Sequence, residues 1–208
     1  MYGTVLSGDT PSFIADLRSV ETDLRYAARL FVRVAETDPD ADADARRAFY
    51  DAGAIAYRRG FTTGRSLVTN GQSRVKIPEE VIDALDSEGR QAHERVLERA
   101  NTHIAHRVSD EEQGRMILLL SNPAIDMSVE GVTWFTVRFV GPFEEEAQQA
   151  AEIAVLLADS VGALVESMQT RLLENAKNRN VEDLYANAKP MGDIGTESDA
   201  DRGLQADP

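Results

Sequence analysis

The stretch 144-EEEAQQAAEIAVLLADSVGALVESMQTRL-172 decides the fold class. Ala147, Ala150, Ala154, Leu157, Val161, Leu164, Met168 and Leu172 recur in steps of 3 and 4, which is the period of an amphipathic helix sustained for about seven turns. Glu144, Glu145 and Glu146 stand where the helix dipole favours negative charge, and Arg171, Lys177 and Arg179 stand near the opposite pole. Gly141-Pro142 marks its start. A helix of this length needs a partner of comparable length to cover its stripe.

Near the other end of the chain, Phe13, Leu17, Val20, Leu24, Ala27, Phe31 and Val34 repeat the same 4, 3, 4 spacing. Thr10-Pro11 reads as a side-chain cap followed by a proline preset for the first turn, and Asp38-Pro39 as the stop. Between these long helices the spacing predicts a helix from Ala45 to about Tyr57 with an inner stripe of Phe49, Ala52, Gly53, Ala56 and Tyr57. Gly60 to Gln72 reads as a loop, and Pro78-Glu79-Glu80 starts a short helix bearing Ile82 and Leu85. Another helix runs from Ser87 to about Val108 with His93, Leu97, Ala100 and Ile104 inside. Met116 to Leu120 and Val132 to Val140 change to a strand-like pattern, Phe135, Val137 and Phe139 on one face and Trp134, Thr136 and Arg138 on the other. They form a β-hairpin at about 115–140, and a lone hairpin is expected to pack on the helices. The expected architecture is mainly α: an antiparallel helical bundle with long first and last helices and one small hairpin before the last. It makes one domain over 1–181, followed by an acidic, disordered tail over 182–208.

The 208 residues carry 22 Lys+Arg against 36 Asp+Glu, a net charge of −14, and no cysteine. Disulfides, thiolate zinc sites and cysteine nucleophiles are thereby excluded. The first residues lack a basic segment followed by an apolar one, and no apolar run approaches the roughly 18 residues of a membrane span, so a cytoplasmic protein without membrane contact is expected. The charge opposes indiscriminate nucleic-acid binding, yet it is uneven. Residues 46–76 alone are net basic at +6, through Arg46, Arg47, Arg58, Arg59, Arg65, Arg74 and Lys76, while every other segment is net acidic. These cations either pair with the surplus carboxylates or form a local anion site, for which arginine forks suit phosphate.

All three histidines, His93, His103 and His106, fall on one predicted helix. His93 shares the inner stripe and is expected to be a core histidine with one nitrogen satisfied. Arg99, His103 and His106, at i, i+4 and i+7, share a polar flank with Arg95. A fixed cation beside groups that exchange a proton near neutral pH suits phosphodiester cleavage without metal. An imidazole deprotonates the ribose 2′-hydroxyl or protonates the leaving 5′-oxygen, and the guanidinium neutralises charge on phosphorus. The substrate of that chemistry is RNA. The bland alternative is an ordinary helix surface paired with Glu94, Glu98 or Asp110. Two imidazoles could also ligate a metal, but His-Glu-x-x-His and the Glu-x-x-His repeat are absent, as are nucleotide-binding glycine loops and a nucleophile elbow; no cofactor or metal is expected.

The stretch Arg99-Ala-Asn-Thr-His103-Ile-Ala-His106 resembles the Arg-x(4 to 6)-His signature of HEPN-type helical domains, and Tyr57-Arg58-Arg59-Gly60-Phe61-Thr62 is similar to an earlier stretch of such bacterial mobile-element or defence proteins. The position after the arginine, polar in that family, is Ala100 here, with Asn101 one place later. The resemblance covers about 45–110 and implies a bundle that dimerises so that Arg99 and His106 of both copies meet at a shared cleft. Such a protein acts as a metal-independent endoribonuclease or, in inactive members, as an RNA- or nucleotide-binding module. On this reading Arg99 and His106 are catalytic with His103 assisting, Arg58, Arg59 and Arg65 contact phosphate, and Arg95 and Asn101 bind substrate. The alternative is a non-catalytic dimeric interaction module of a phage or mobile-element system, whose acidic tail meets a basic protein partner.

Overall fold

The computed structural model describes residues 1–6, 8–64, 74–104, 113–186 and 188–194; of His103, Ile104 and Gln113 it describes the backbone only. The expected mainly α architecture is what forms. In chain order come β1 (Tyr2–Gly3), α1 (Asp9–Glu36), α2 (Ala43–Arg58), α3 (Glu79–Asp83), α4 (Ser87–Arg99), a π-helical turn (Ala100–Ile104), β2 (Gln113–Leu120), β3 (Val129–Val137), α5 (Glu144–Lys177), α6 (Val181–Ala186) and β4 (Lys189–Pro190).

The stripes of α1 and α5 meet. Leu17, Val20, Leu24, Ala27, Phe31 and Val34 of α1 are buried against Ala147, Ala150, Ala154, Leu157, Ala158 and Val161 of α5. Each large side chain among them contributes roughly 1.5–3 kcal/mol by leaving water. The helices run antiparallel: Arg18 donates to Gln169 and Arg25 pairs with Asp159, so the α5 partner number falls as the α1 number rises. Small residues set their spacing, and Gly162 leaves room for the Glu21 carboxylate, whose Oε1 would lie 3.1 Å from a Cβ there. Glu21 is buried between Arg18 at 2.6 Å and Arg25 at 3.0 Å. Burial pushes its carboxyl up, and the hydrogen bonds and charges of the two arginines outweigh this and hold it below the ordinary carboxylate range.

Helix α1 starts differently from expectation. Its N-cap is Gly8, no side chain caps it, and Thr10 and Pro11 lie inside the first turn. Helix α2 is entered through Asp42, whose carboxylate accepts from Ala45 N at 3.0 Å. Of the expected inner stripe of α2, Gly53, Ala56 and Tyr57 are buried, whereas Phe49 and Ala52 are only half-buried and Arg46, Tyr50 and Ala54 join the inner face, which rotates it toward them. Arg46 has a reason to lie inside. Its guanidinium donates to the carbonyls of Val34, Thr37 and Pro142, so it satisfies the open C-terminal end of α1 and ties it to the segment before α5.

Two further expectations change. The hairpin forms with β2 and β3 antiparallel, Met116 opposite Trp134 and Leu118 opposite Val132, but it does not bury itself on the helices. Every described hydrophobic side chain from Met116 to Val137 is exposed, and β3 ends before Phe139, which packs against the helical core instead. The segment after Val181 is also not featureless: α6 is followed by β4, which pairs with β1 through Tyr2 opposite Pro190 and Gly3 opposite Lys189. The remainder of the expected tail, 195–208, lies outside the described residues. Among the described residues no helix is long and apolar enough to cross a membrane.

Candidate functional site

The polar flank of α4 is held by two partners on α5. Arg99 Nη1 reaches Glu146 Oε2 at 2.9 Å, and its guanidinium carbon lies 5.3 Å from the centroid of the Phe139 ring. Four residues earlier, Arg95 Nη2 donates to Gln149 Oε1 at 2.7 Å. Both arginines are therefore clasped against the first turns of α5. The cavity that they line with Tyr50, Val96, Pro142 and Glu146 is about 10 Å³. That is room for one ordered water at most, and not for a phosphate, on this side of Arg99.

Directly after Arg99 the helix changes period. Residues Ala100–Ile104 form a π-helical turn, a feature that is rare and frequent at functional sites. The i, i+4, i+7 angles expected for Arg99, His103 and His106 assume an unbroken α-helix, so they do not carry through this turn. Its exposed residues are Asn101 and Thr102, and Thr102 Oγ1 returns a hydrogen bond to Glu98 O at 2.8 Å. The side chain of His103, and His106 altogether, lie outside the described residues, as does Arg65.

Of the residues expected to touch substrate, two come together. Arg58, at the end of α2, donates through Nε to Asn101 Oδ1 on the π-helical turn, joining α2 to the Arg99–His106 stretch across 43 positions of sequence. Arg59, its neighbour, turns the other way and pairs with Asp23 of α1 at 3.4 Å. Much of the basic segment is similarly engaged: Arg46 is buried on backbone carbonyls, and Arg47 pairs with Asp51 at 3.6 Å. Of these cations, Arg47 and Arg59 pair with carboxylates, Arg46 with backbone carbonyls and Arg58 with an amide oxygen.

Beneath this surface sits His93. Its Nδ1 and the Tyr57 hydroxyl share a buried hydrogen bond at 2.8 Å, and the Phe61 ring packs edge-on at a centroid distance of 4.6 Å. This is the core histidine that the α4 stripe implies. Burial lowers its pKa, the charge of Glu94 raises it and that of Arg90 lowers it, with a net shift downward. Burial pushes the Tyr57 hydroxyl strongly up, so that hydroxyl stays protonated. The pair fixes α2 to α4 and has no access to substrate.

No family model matches the chain. No curated protein and no solved structure matches it significantly either. Sequence reasoning missed Glu146, Gln149 and Phe139 as the groups that hold Arg99 and Arg95. Glu146 was legible only as an acid favoured at a helix start, and nothing in its spacing points across to α4. Among the described residues no three His, Asp or Glu side chains converge as metal ligands. The groove of about 490 Å³ between the start of α1 and the end of α5, lined by Leu6, Pro11, Met168, Arg171 and Arg179, shares no residue with the candidate set. Met168 lies 22 residues along α5 from Glu146, about 33 Å away at the helical rise.

Proposed function

We propose that the chain is a HEPN-like RNA-binding protein whose binding surface is centred on the π-helical turn, and that two copies together form a metal-independent endoribonuclease cleft. The observation that carries this reading is the junction of Arg58 with Asn101, two positions beyond Arg99. It sets an arginine and an amide, both suited to phosphate and base edges, at the rim of the stretch that holds the imidazoles. The tight packing around Arg99 leaves no room for a phosphate on the α5 side, which favours a cleft completed by a second copy. In that cleft one His106 imidazole takes the 2′-hydroxyl proton as that oxygen bonds to phosphorus, the P–O5′ bond breaks with a protonated imidazole giving its proton to the departing 5′-oxygen, His103 assists, and the guanidiniums offset charge building on phosphorus.

The test incubates labelled RNA with the full chain in EDTA. Wild type is expected to bind and cleave. His106→Ala is expected to bind without cleaving, and Arg58→Ala to bind about tenfold more weakly, in line with the loss of one charge-assisted contact. Equal cleavage by wild type and His106→Ala, or none by either, removes the nuclease; RNA affinity unchanged in Arg58→Ala and Asn101→Ala removes the binding surface.

A second reading, a non-catalytic dimeric interaction module, is favoured by a different observation. The β2–β3 hairpin exposes a continuous run of large apolar side chains that the helices leave uncovered.

A further inference from the structure

The strand register sorts the hairpin into two faces. Met116, Leu118 and Leu120 of β2 stand opposite Trp134, Val132 and Val129 of β3, so these six share one face. Their exposure runs from 53% for Leu118 to 66% for Leu120, and none of them is charged. The opposite face holds Ile117, Leu119, Phe135 and Val137 at 39–51% exposure. Trp134 anchors the first face: a Cβ on Gly114 would collide with its indole, so the ring lies flat across the strand at a position that only glycine leaves open.

We propose that this face, centred on Leu118 and Trp134, docks against the same face of a second copy of this chain. The inference rests on the second reading above and supplies its surface and its partner. Area, charge and chain content each point to that occupant. At 53–66% exposure the six residues of this face together present on the order of 600 Å² of apolar surface. A standard interface takes about 800 Å² from each partner, and about 600 Å² is the upper end of the apolar patches ordinary monomers expose.

The charge argument is independent of area. The chain has a net charge of −14, so two copies repel over most of their surfaces, whereas residues 113–137 contain only Arg115, Asp126 and Glu130. The hairpin is where two acidic molecules meet without a charge penalty. A basic partner would be drawn to the acidic segments and not to this neutral patch. Apolar surface is non-directional, so a patch of aliphatic and indole groups is complementary to itself about a two-fold axis.

The segments 65–73, 105–112 and 195–208 hold Leu67, Val68, Val108 and Leu204 as their large apolar residues, fewer than the six on this face. A two-stranded hairpin is at best marginal in water by itself, and sheet-on-sheet packing supplies what it lacks.

Trp134 is the single tryptophan of the chain, so its emission reports on this face alone. The experiment measures the mass of the full chain by sedimentation equilibrium across micromolar concentrations, for wild type, Met116→Glu and Leu118→Lys. Tryptophan emission and far-ultraviolet circular dichroism are followed in parallel. The expected result is a wild-type mass of twice 22.8 kDa, emission that shifts to the red as dilution separates the copies, and monomeric variants with unchanged helix content. A dimer that survives both substitutions, with emission indifferent to dilution, overturns the docking face while leaving a dimeric module standing. A monomer at every concentration overturns both. Should a variant fail to fold, the wild-type dilution series decides alone.

Discussion

Leu157 and Leu118 are the same side chain in two situations. The first, on α5, is 0% exposed; the second, on β2, is 53% exposed. Both belong to strongly apolar patterns, yet only the helical pattern finds its complement within the chain. The stripe of α1 has the same period as that of α5, runs antiparallel to it and presents large residues against small ones. The hairpin is apolar on both faces, and among the described residues nothing covers either: its large apolar side chains stay 39–66% exposed along both strands. A periodic apolar pattern thus reports that a surface is to be covered, and the molecule as a whole determines by what.

Substitutions break this contrast most strongly inside the helical core. Tyr57→Ala removes a fully buried ring from contact with Phe31, Phe61 and His93, and is expected to cost about 3–5 kcal/mol, measured by urea unfolding of helix signal. Leu157→Ala should cost about 2–5 kcal/mol in the same assay. Gly53→Ala probes how closely α1 and α2 approach, because its Cβ would stand 2.9 Å from Phe31 Cε1; overpacking of this kind costs about 1–3 kcal/mol.

Protonation gives a smaller effect with a definite sign. The folded pKa of His93 lies below its ordinary 6.5, so as pH falls the unfolded chain takes up the proton first. The stability this neutral histidine provides is whole above about pH 6.5 and is lost as pH drops below it. His93→Gln is expected to flatten the urea midpoint between pH 7.5 and pH 5.5. Glu21 acts in a separate window, since its folded pKa lies below 4.5 and its contribution is lost only as pH falls under that value. The smallest effect belongs to the hairpin. Leu118→Ala is expected to change helix stability by no more than about 0.5 kcal/mol, an exposed-site value, where the same change at position 157 costs several times as much.

Much of the fold was legible because α1 and α5 keep an unbroken 3-and-4 spacing; in α4 the spacing placed His93 and Ala100 in the core, while Ala92 and Val96 are buried and Leu97 is half-buried. The rotation of α2 was not legible, because Arg46 counts as polar in any pattern while its burial is set by the open carbonyls at the end of α1. The two faces of β3 could be read from the alternation of Trp134 and Thr136 against Phe135 and Val137, but alternation says nothing about register or about where the sheet sits. In the candidate site, Arg99, Arg58 and Asn101 were identifiable by type. The π-helical turn at Ala100–Ile104, and the Glu146 and Phe139 clasp on Arg99, are long-range consequences of packing without a local signal.

The contrast itself is tested most directly by native-state hydrogen exchange on the full chain, at a low and a high protein concentration chosen from sedimentation to favour one copy and two. Protection of the α1 and α5 amides is expected to be the same at both, because their partner lies within the chain. Protection of the amides of 114–120 and 129–137 is expected to rise with concentration. Hairpin amides protected equally at both concentrations would contradict the account, since their stability would then come from the single chain alone.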